Sequence, residues 1–409
     1  MKVLWLHNHY RVHGGESAAA EREAALLRAA GVEVVQHAVD NLAIDTMGRV
    51  QRALLPLRNA WSRSSYRTVR ALCREHRPDV LHAHNVWPLL SPSVFAAARA
   101  ERVPTVFTAH NFYLSCLNGV LFRDGRICTD CVGKLPWAGV VHRCYRGVGG
   151  SLTRFFGTAV HRSLGVFGAV DRILTPTQFA REHFLQLGFP ALQVRAKWLS
   201  CEDPGKGGAL IATAPPQPAR FLVACRLVPE KGVHIAIAAA AQAKVPWHLD
   251  IAGEGPERAA LAHRIAELGL SARVRLLGQV PPRELPTHIA AANAILLPSI
   301  WYETCGLTAI EAFAAGKPVV ASALGAMQEV VDDTSGLRLP AGDVPAWSSA
   351  LDSLAQAPAR CVELGHGARA RYERHFTPAH DADRLLAIYG ELTATASSIA
   401  PRSPEVAEP

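Results

Sequence analysis

The sequence predicts an α/β protein built from two doubly wound domains that face each other across a cleft. Its 409 residues are too many for one ordinary domain and suit two domains of roughly 200 residues each. Short apolar runs alternate with helical stretches along both halves, which is the pattern of parallel sheets covered by helices. Residues 203–219 are rich in Pro, Gly and Ala and are typical of a linker between the halves.

Composition narrows the class of protein. Hydrophobic residues make up 49% and charged residues 19% of the chain, which allows a sizeable core and excludes global disorder. The net charge of +8 favours anionic partners, namely nucleotide diphosphates, acidic membranes or nucleic acid. The apolar start, MKVLWLH, is too short for a signal-peptide core, and no stretch is long enough to span a membrane. We therefore expect a cytoplasmic protein whose nine cysteines are reduced.

The first half is predicted to form an N-terminal domain over residues 1–202. It opens with an apolar strand, a glycine loop, a helix over 16–30 and a second strand. Strands near 79–83 and 104–108 flank a further helix near 91–101. These are successive β-α-β units, which require parallel strands.

Residues 220–376 are predicted to form the second domain because strand, loop and helix recur there three times. The repeats are RFLVACRLVPEKGVHIAIAAAAQA, HLDIAGEGPERAALAHRIAELG and AILLPSIWYETCGLTAIEAFAAGKPVVAS. A last helix within 377–395 is expected to pack back on the first domain, and 396–409 has the composition of a disordered tail. Ligands of such folds bind beyond the carboxyl ends of the strands, so the cleft is the expected site.

Two glycines and two cations are predicted to meet phosphate groups in this cleft. Gly14 and Gly15 open a helix, where backbone N–H groups and the helix dipole favour an anion. A plain turn is an equally good interpretation of two glycines alone. Arg226 and Lys231 would hold a diphosphate as a fork and a point charge. Without this context, Arg226 and Lys231 would be interpreted as ordinary surface charges. Their position at the carboxyl end of a strand favours the interpretation that they bind phosphate.

Two glutamates and the loop between them are predicted to contact sugar hydroxyls. Glu303 would accept from a sugar hydroxyl and Glu311 from a ribose diol. Alternatively, Glu303 is present because a carboxylate near a helix N-terminus interacts favourably with the helix dipole, and Glu311 lies on a solvent-exposed face of its helix. Gly253 and Gly255 form either a turn or a backbone contact to a base or ribose. The N–H groups expected to face the sugar and phosphates are those of Thr304, Cys305, Gly306 and Leu307.

Taken together, these residues resemble a known family. Glu303 and Glu311 after LLPS, with Arg226 and Lys231 upstream, are similar to the retaining family 4 (group 1) glycosyltransferases, whose GT-B fold pairs two Rossmann-like domains. The resemblance covers nearly the whole chain. DVLHAHNVWPLLSPSVFAAARAERVPTVFTAHN and CLNGVLFRDGRICTDCVGKLPWAGVVHRCYRGV resemble a bacterial surface-polysaccharide subgroup with a Cys-rich insertion.

The resemblance implies a reaction. The second domain would bind a nucleotide-diphosphate sugar, and the first would face a glycan or lipid-linked acceptor. A hexose would be transferred with retained anomeric configuration, and no metal ion or other cofactor would be needed for the chemistry.

The resemblance also implies the roles of single residues. Gly15 would back the diphosphate, and His110 would face the transferred sugar; taken alone, His110 would be a histidine that caps a strand end. Arg226 and Lys231 would stabilise charge on the leaving phosphate. The expected catalytic set is therefore His110, Arg226, Lys231 and Glu303. Glu303 is not assigned as a nucleophile, because two carboxylates eight residues apart on one segment do not flank a bond as hydrolase acids do.

The insertion at 116–144 contains four cysteines with the spacing C-x11-C-x2-C-x12-C. A Cys-x2-Cys pair with two further thiols suits a tetrahedral structural zinc site, for which His142 is a substitute ligand. The insertion is polar and glycine-rich, so a metal would supply stability that a small core cannot. Free thiols in a loop are the alternative. The expected zinc ligands are Cys116, Cys128, Cys131 and Cys144.

Residues 49–77 contain eight arginines and a single acid, Glu75. Their apolar positions share one helical face, which suits an amphipathic helix on an anionic membrane, at the inner face of the plasma membrane. The alternative, equally weighted, is an exposed helix whose apolar face lies in the domain core.

Two other functions are weaker alternatives. A nucleotide-sugar epimerase of the same fold would need no acceptor, and a phosphorylase would need a cofactor lysine motif that is absent from the sequence. A zinc-containing nucleic-acid-binding protein would need basic residues interleaved with aromatic ones. Aromatic residues make up only 7% of the chain and the arginines gather on one helix, so no nucleic-acid partner is expected.

Overall fold

The computed structural model describes residues 1–11, 14–205 and 217–399, and it contains two six-stranded parallel sheets with helices on both faces. The first domain contains β1 (Lys2–His9), α1 (Gly15–Ala29), β2 (Glu33–Asp40), α2 (Arg49–Ala53), α3 (Leu55–Ala60), α4 (Arg63–His76), β3 (Val80–Ala83), α5 (Ser93–Ala100), β4 (Thr105–Thr108), β5 (Phe122–Arg123), β6 (Arg126–Ile127), α6 (Trp137–Val141), α7 (Gly147–Ser163), β7 (Arg172–Thr175), α8 (Gln178–Gln186) and β8 (Val194–Ala196).

The second domain repeats the alternation of strand and helix. It contains β9 (Ala219–Ala224), α9 (Val233–Ala241), β10 (Trp247–Ala252), α10 (Arg258–Glu267), β11 (Val274–Gly278), α11 (Leu285–Ala290), β12 (Ala294–Leu297), α12 (Leu307–Ala314), β13 (Val319–Ser322), α13 (Met327–Val330), β14 (Gly336–Leu339), α14 (Val344–Gln356) and α15 (Pro358–His375). The chain then continues into α16 (Pro378–Ile399).

Strand order places a reversal at the centre of each sheet. The orders are β2-β1-β3-β4-β7-β8 and β11-β10-β9-β12-β13-β14. Connections therefore run in opposite directions from β1 and from β9, which opens a crevice beyond the carboxyl end of each of these strands. The predicted pair of doubly wound domains is confirmed.

Burial on both faces explains why the central strands are continuous apolar runs. In β1, the side chains of Val3, Leu4, Trp5 and Leu6 are fully buried. Helices cover both sides of a parallel sheet, so neither face needs polar side chains. The sheets are thus rigid supports for the loops at their carboxyl ends.

Helix α16 leaves the second domain and packs on the first sheet. Leu385, Tyr389 and Leu392 share an apolar cluster with residues of β1, β3, β4 and β7. The helix extends to Ile399, so residues 396–399, which the sequence assigned to the tail, are helical. Residues 400–409 and 206–216, which include most of the predicted linker, lie outside the described part of the chain.

A buried ion-pair cluster fixes this helix to the first domain. The ammonium of Lys197, which is 1% exposed, lies 3.1 Å from Glu23 Oε2 on α1 and contacts Asp381 Oδ1 on α16. Ser200 donates to the other oxygen of Asp381 at 2.7 Å. Burial alone would lower the pKa of Lys197, but the two carboxylates more than offset it and raise the pKa above its usual value. Lys197 is therefore charged and paired twice.

The basic segment 49–77 forms three helices, α2 to α4, rather than the single amphipathic helix predicted from sequence. In α4, Val69 and Cys73 are buried in the domain core, as the alternative interpretation expected. Along α2, α3 and the residue between them, Val50, Leu54 and Leu57 face outward and are exposed by 73%, 50% and 57%. Among the described residues, no helix combines the length and the apolar character needed to cross a bilayer.

Replacing Lys197 with Met should strongly destabilise the protein, because it leaves the buried carboxylates of Glu23 and Asp381 without their counter-charge. We expect a loss of about 3–5 kcal/mol, seen as a lower midpoint of urea unfolding. Glu391→Gln is the control: this residue on α16 pairs with Arg172 and Arg195 but is half exposed, so its loss should cost under about 1 kcal/mol. Equal midpoints for the two variants would contradict the proposed anchoring.

Candidate active site

A cavity of about 810 Å³ lies between the carboxyl ends of the two sheets. Its floor in the second domain is the end of β9 and of β12, the two strands at which the strand order reverses. Ten of the residues singled out from sequence line this cleft: Gly14, Gly15, His110, Arg226, Lys231, Glu303, Thr304, Cys305, Gly306 and Leu307.

Lys231 and Glu303 form an ion pair on the wall of the second domain. Lys231 Nζ donates to Glu303 Oε1 at 2.6 Å and lies 5.1 Å from the centre of the Trp301 ring. Ser299 Oγ and Trp301 Nε1 donate to the same oxygen at 2.7 and 3.0 Å. Burial raises the pKa of Glu303, but Lys231 and these two donors more than offset it, so the pKa lies below its usual value. Glu303 is therefore an anion that accepts hydrogen bonds.

Arg226 contributes a second cation to the same wall. Its side chain is exposed at the cleft, directly after β9, and no hydrogen bond or ion pair to it is found within residues 1–11, 14–205 and 217–399. The guanidinium is thus available to an anionic ligand. Lys231, five residues on, is the cation that is already oriented by a carboxylate.

Two helix N-termini meet in the cleft. Helix α12 begins after Gly306, whose φ is +78° and whose Cβ, if present, would lie 2.2 Å from Met327 Cε. The positive φ favours glycine at this turn. Helix α1 begins at Gly15 on the opposite wall, where an added Cβ would come 3.5 Å from Leu307 Cδ1. Both helix dipoles therefore favour negative charge at the same place.

Direct hydrogen bonds hold the two walls together. Thr304 Oγ1 in the second domain donates to the carbonyl of His110 at 2.9 Å, and Thr177 Oγ1 in the first domain donates to the carbonyl of Thr304 at 2.9 Å. The backbone N–H groups of Gln178 and Phe179, at the start of α8, donate to Glu329 at 3.1 and 2.8 Å. The cleft is thus closed along one side.

A chain of buried side chains lies behind His110. His110 Nε2 is 2.9 Å from His84 Nδ1, and His84 Nε2 is 3.1 Å from Glu23 Oε1. Glu23 is the carboxylate that also contacts Lys197. His82 lies 3.1 Å from the same oxygen of Glu23, and burial lowers its pKa to about 3. The cluster that anchors α16 is therefore continuous with the histidine in the cleft.

The carboxylate sets the tautomers along this chain. Burial raises the pKa of Glu23, but Lys197 and the two histidines lower it well below its usual value, so Glu23 only accepts. With Nε2 of His84 as the donor toward Glu23, Nδ1 of His84 would accept from His110 Nε2–H. Burial lowers the pKa of His110 well below its usual value, and the adjacent His84 adds to this. A neutral His110 with a bare Nδ1 can accept a hydrogen bond from a ligand hydroxyl.

Three of the predicted donor-binding residues do not line the cleft. Gly253, with φ +144°, and Gly255 pack on the loop after β9: a Cβ at either would lie 1.8 Å from the carbonyl oxygen of Cys225 or 2.3 Å from that of Leu227. Close backbone approach explains both glycines. Glu311 accepts from Arg22 Nη2 on α1 at 3.0 Å. This contact involves Oε1 only, and the second oxygen of the carboxylate can still accept from a hydroxyl.

Glu16 lines the cleft and was not identified from the sequence. It accepts from Tyr10 at 3.2 Å and from Asn111 at 2.9 Å. Burial raises its pKa to about 7, against the lowering effect of these two hydrogen bonds and of Arg154. The position of Glu16 directly after Gly14 and Gly15 was the one feature of the sequence that could have indicated a place in the cleft. Its partners come from separate loops, so the spacing of residues does not reveal the site.

The four cysteines of the insertion surround a separate small void beside the cleft. Each is a free thiol. His142, proposed from the sequence as a substitute ligand, is exposed and does not line this void.

Comparison with known proteins assigns both domains. Residues 14–196 match the family described as glycosyl transferase 4-like domain, and residues 212–371 match glycosyl transferases group 1. The second domain belongs to the group 1 glycosyltransferases and the first to the glycosyl transferase 4-like family. The expected transferase family and the GT-B fold are thereby confirmed. The epimerase alternative from the sequence is not favoured.

Relatives of this glycosyltransferase include enzymes with different products. Glycogen synthase of Mycobacterium tuberculosis is 29% identical over 74% of this chain and 66% of its own. Amylovoran biosynthesis glycosyltransferase AmsK of Erwinia amylovora is 31% identical over 54% of this chain and 56% of its own. The chain thus spans about two thirds or less of these relatives. The solved structure of Anabaena Alr3699/HepE in complex with UDP has a TM-score of 0.67 at 17% identity, covering 96% of this chain and 100% of that one.

We expect His110 of this glycosyltransferase to remain neutral, with its proton on Nε2, between about pH 6 and 8. The reason is burial together with the acceptor Nδ1 of His84. Nitrogen-15 NMR of histidine-labelled protein distinguishes the two tautomers from imidazolium. In His84→Phe the acceptor is lost, so the tautomers of His110 should mix. An imidazolium, or a proton on Nδ1 in the unaltered protein, would contradict the chain.

Proposed function

We propose that this protein is a retaining glycosyltransferase that moves a hexose from a nucleotide-diphosphate sugar to a glycan or lipid-linked acceptor in surface-polysaccharide biosynthesis. The observation that carries the proposal is the convergence of Arg226, Lys231 and two helix N-termini on one cleft. These groups form a cationic, N–H-rich surface that is suited to a diphosphate.

Each charged group has a role in this reaction. As the bond between sugar and diphosphate breaks, negative charge grows on the leaving phosphate, and Arg226 and Lys231 would stabilise it. Glu303, which is anionic and already orients Lys231, would accept from a hydroxyl of the sugar. His110 would accept from another hydroxyl through its bare Nδ1. The departing phosphate would take the proton of the acceptor hydroxyl, so the reaction needs no nucleophile from the protein.

The relatives support the classes of donor and product. The Anabaena protein binds UDP, and AmsK is named for amylovoran biosynthesis. A uridine nucleotide is therefore the first donor to test, and a polysaccharide intermediate the first acceptor. An epimerase would instead isomerise the donor without any acceptor, and this outcome would refute the proposal.

Alanine at Arg226 or Lys231 should lower kcat/KM for sugar transfer by about 100-fold or more, as removal of a single charge-stabilising donor does in other enzymes. The donor is first identified by a thermal-shift panel of nucleotide sugars. Transfer is then assayed by mass spectrometry, and NMR of the product reports the anomeric configuration.

Arg258→Ala is the matched control, because this arginine of the second domain pairs with Glu254 on the surface and does not line the cleft. It should keep the kcat/KM of the unaltered protein. Full activity of Lys231→Ala, or an inverted anomer in the product, would contradict the proposed mechanism.

We also propose that α2, α3 and α7 bind an anionic membrane. Helix α3 packs on α7, and both helices expose apolar side chains: Leu57 on α3, and Val148, Leu152 and Phe156 on α7. Arginines flank this surface, including Arg49 and Arg52 on α2. Apolar side chains next to cations suit insertion at the surface of acidic lipid, where a lipid-linked acceptor would be found.

Leu54→Ser combined with Leu57→Ser should reduce flotation with liposomes that contain anionic lipid, because it removes apolar area from this surface. The matched control is Leu192→Ser combined with Leu268→Ser, two exposed leucines on other parts of the molecule. Equal flotation of both double variants, or flotation independent of anionic lipid, would contradict membrane binding.

A further inference from the structure

The insertion at 116–144 brings four thiols from three separate segments around one void. Cys116 lies before the β5–β6 hairpin, Cys128 and Cys131 follow it, and Cys144 comes after α6. The void has a volume of about 10 Å³, which is close to one water-sized sphere. A group of four cysteines in one place is a complete ligand set for a tetrahedral metal ion.

The insertion contains little regular secondary structure that could hold the four thiols together. The hairpin consists of two strands of two residues each, and Leu135, Trp137 and Val141 nearby are exposed. Four other apolar side chains of the insertion, Leu117, Leu121, Phe122 and Val140, are buried and form a small core beside the thiols. Small units of this kind depend on disulfides or metals for stability, and all four cysteines are free thiols.

The sulfur atoms must converge further to bind an ion. Within residues 1–11, 14–205 and 217–399, the donor atoms of three metal-binding side chains lie within 4.8 Å of one another at Glu23, His82 and His84, not at the cysteines. Tetrahedral zinc with bonds of about 2.3 Å places its sulfurs about 3.8 Å apart. All four cysteines line the void, so zinc binding would require their side chains to turn into it. Lys197 already neutralises Glu23, which makes the histidine cluster a poor cation site.

One of the four thiols makes a hydrogen bond in this arrangement. Cys116 Sγ donates to Asn118 Oδ1 at 2.8 Å. Zinc would replace each S–H bond with a Zn–S bond and release the four protons to solvent, with no change in oxidation state.

The ligands lie next to residues that form the wall of the cleft. Asn118, Gly119 and Val120 follow Cys116, and Tyr145 and Arg146 follow Cys144; these five residues line the cleft on the first domain. A metal ion that joins the two segments would therefore set the spacing of this wall.

We propose that Cys116, Cys128, Cys131 and Cys144 bind one Zn²⁺ as a structural ion that fixes the acceptor wall of the cleft. The metal site does not depend on the proposed transfer reaction. Calling this side of the cleft the acceptor wall does rest on that proposed reaction. The ion takes no part in the chemistry.

Metal content is the direct test. The full chain, purified under reducing conditions without an affinity tag that binds metal, should contain about one zinc per chain by elemental analysis. Cys128→Ala and Cys131→Ala should lose it. Cys361→Ala, a buried thiol of the second domain, is the matched control and should retain it. Metal-free protein whose four thiols react with Ellman's reagent, or disulfides among them, would overturn the proposal.

A second measurement covers the case in which the ligand variants fail to fold. The unaltered protein is treated with a chelator and reloaded with Co²⁺, which gives intense sulfur-to-cobalt absorption only at thiolate sites. Limited proteolysis should cut the chelated protein within 116–146 and spare the reloaded protein. The same cleavage with and without metal would show that no ion holds the segment, whether or not the protein transfers sugar.

Discussion

The cleft depends on one constraint: the parallel strands of both sheets end at the same gap, so the helices that follow them begin there. Helix α1 and helix α12 consequently direct their N-termini toward each other, separated by little more than the side chain of Leu307 at Gly15. Arg226 and Lys231 lie beside them because both follow β9. This combination of cations and helix N-termini favours an anionic ligand in the gap.

A second constraint links the fold to this gap. The ammonium of Lys197 joins α1 and α16 by contacting Glu23 and Asp381, and Glu23 is also the end of the chain that reaches His110 through His84. One buried carboxylate thus serves both the packing of the last helix and the orientation of a histidine in the cleft. The structural and functional demands on Glu23 cannot be separated by a single substitution.

Much of this could be predicted from the sequence, because it depends on local order. The alternation of strand and helix predicted both sheets, and position after a strand placed Arg226, Lys231 and Glu303 in the cleft. Gly253 and Gly255 also follow a strand, but they are glycines because neighbouring backbone packs closely against them. A glycine after a strand in the sequence does not show which of these two roles, backbone packing or ligand contact, it has. The histidine chain was missed because its members are distant in sequence and meet only in the folded domain, where Glu23 of α1 lies beside His82 and His84.

The central claim is that the cleft holds a diphosphate, and equilibrium binding tests it most directly. Calorimetry should compare a nucleoside diphosphate with the corresponding monophosphate, beginning with UDP and UMP. The diphosphate should bind at least about tenfold more tightly, a difference of about 1.4 kcal/mol. This preference should disappear when Arg226 and Lys231 are both replaced by alanine. Equal affinity of the unaltered protein for the two nucleotides would contradict the account.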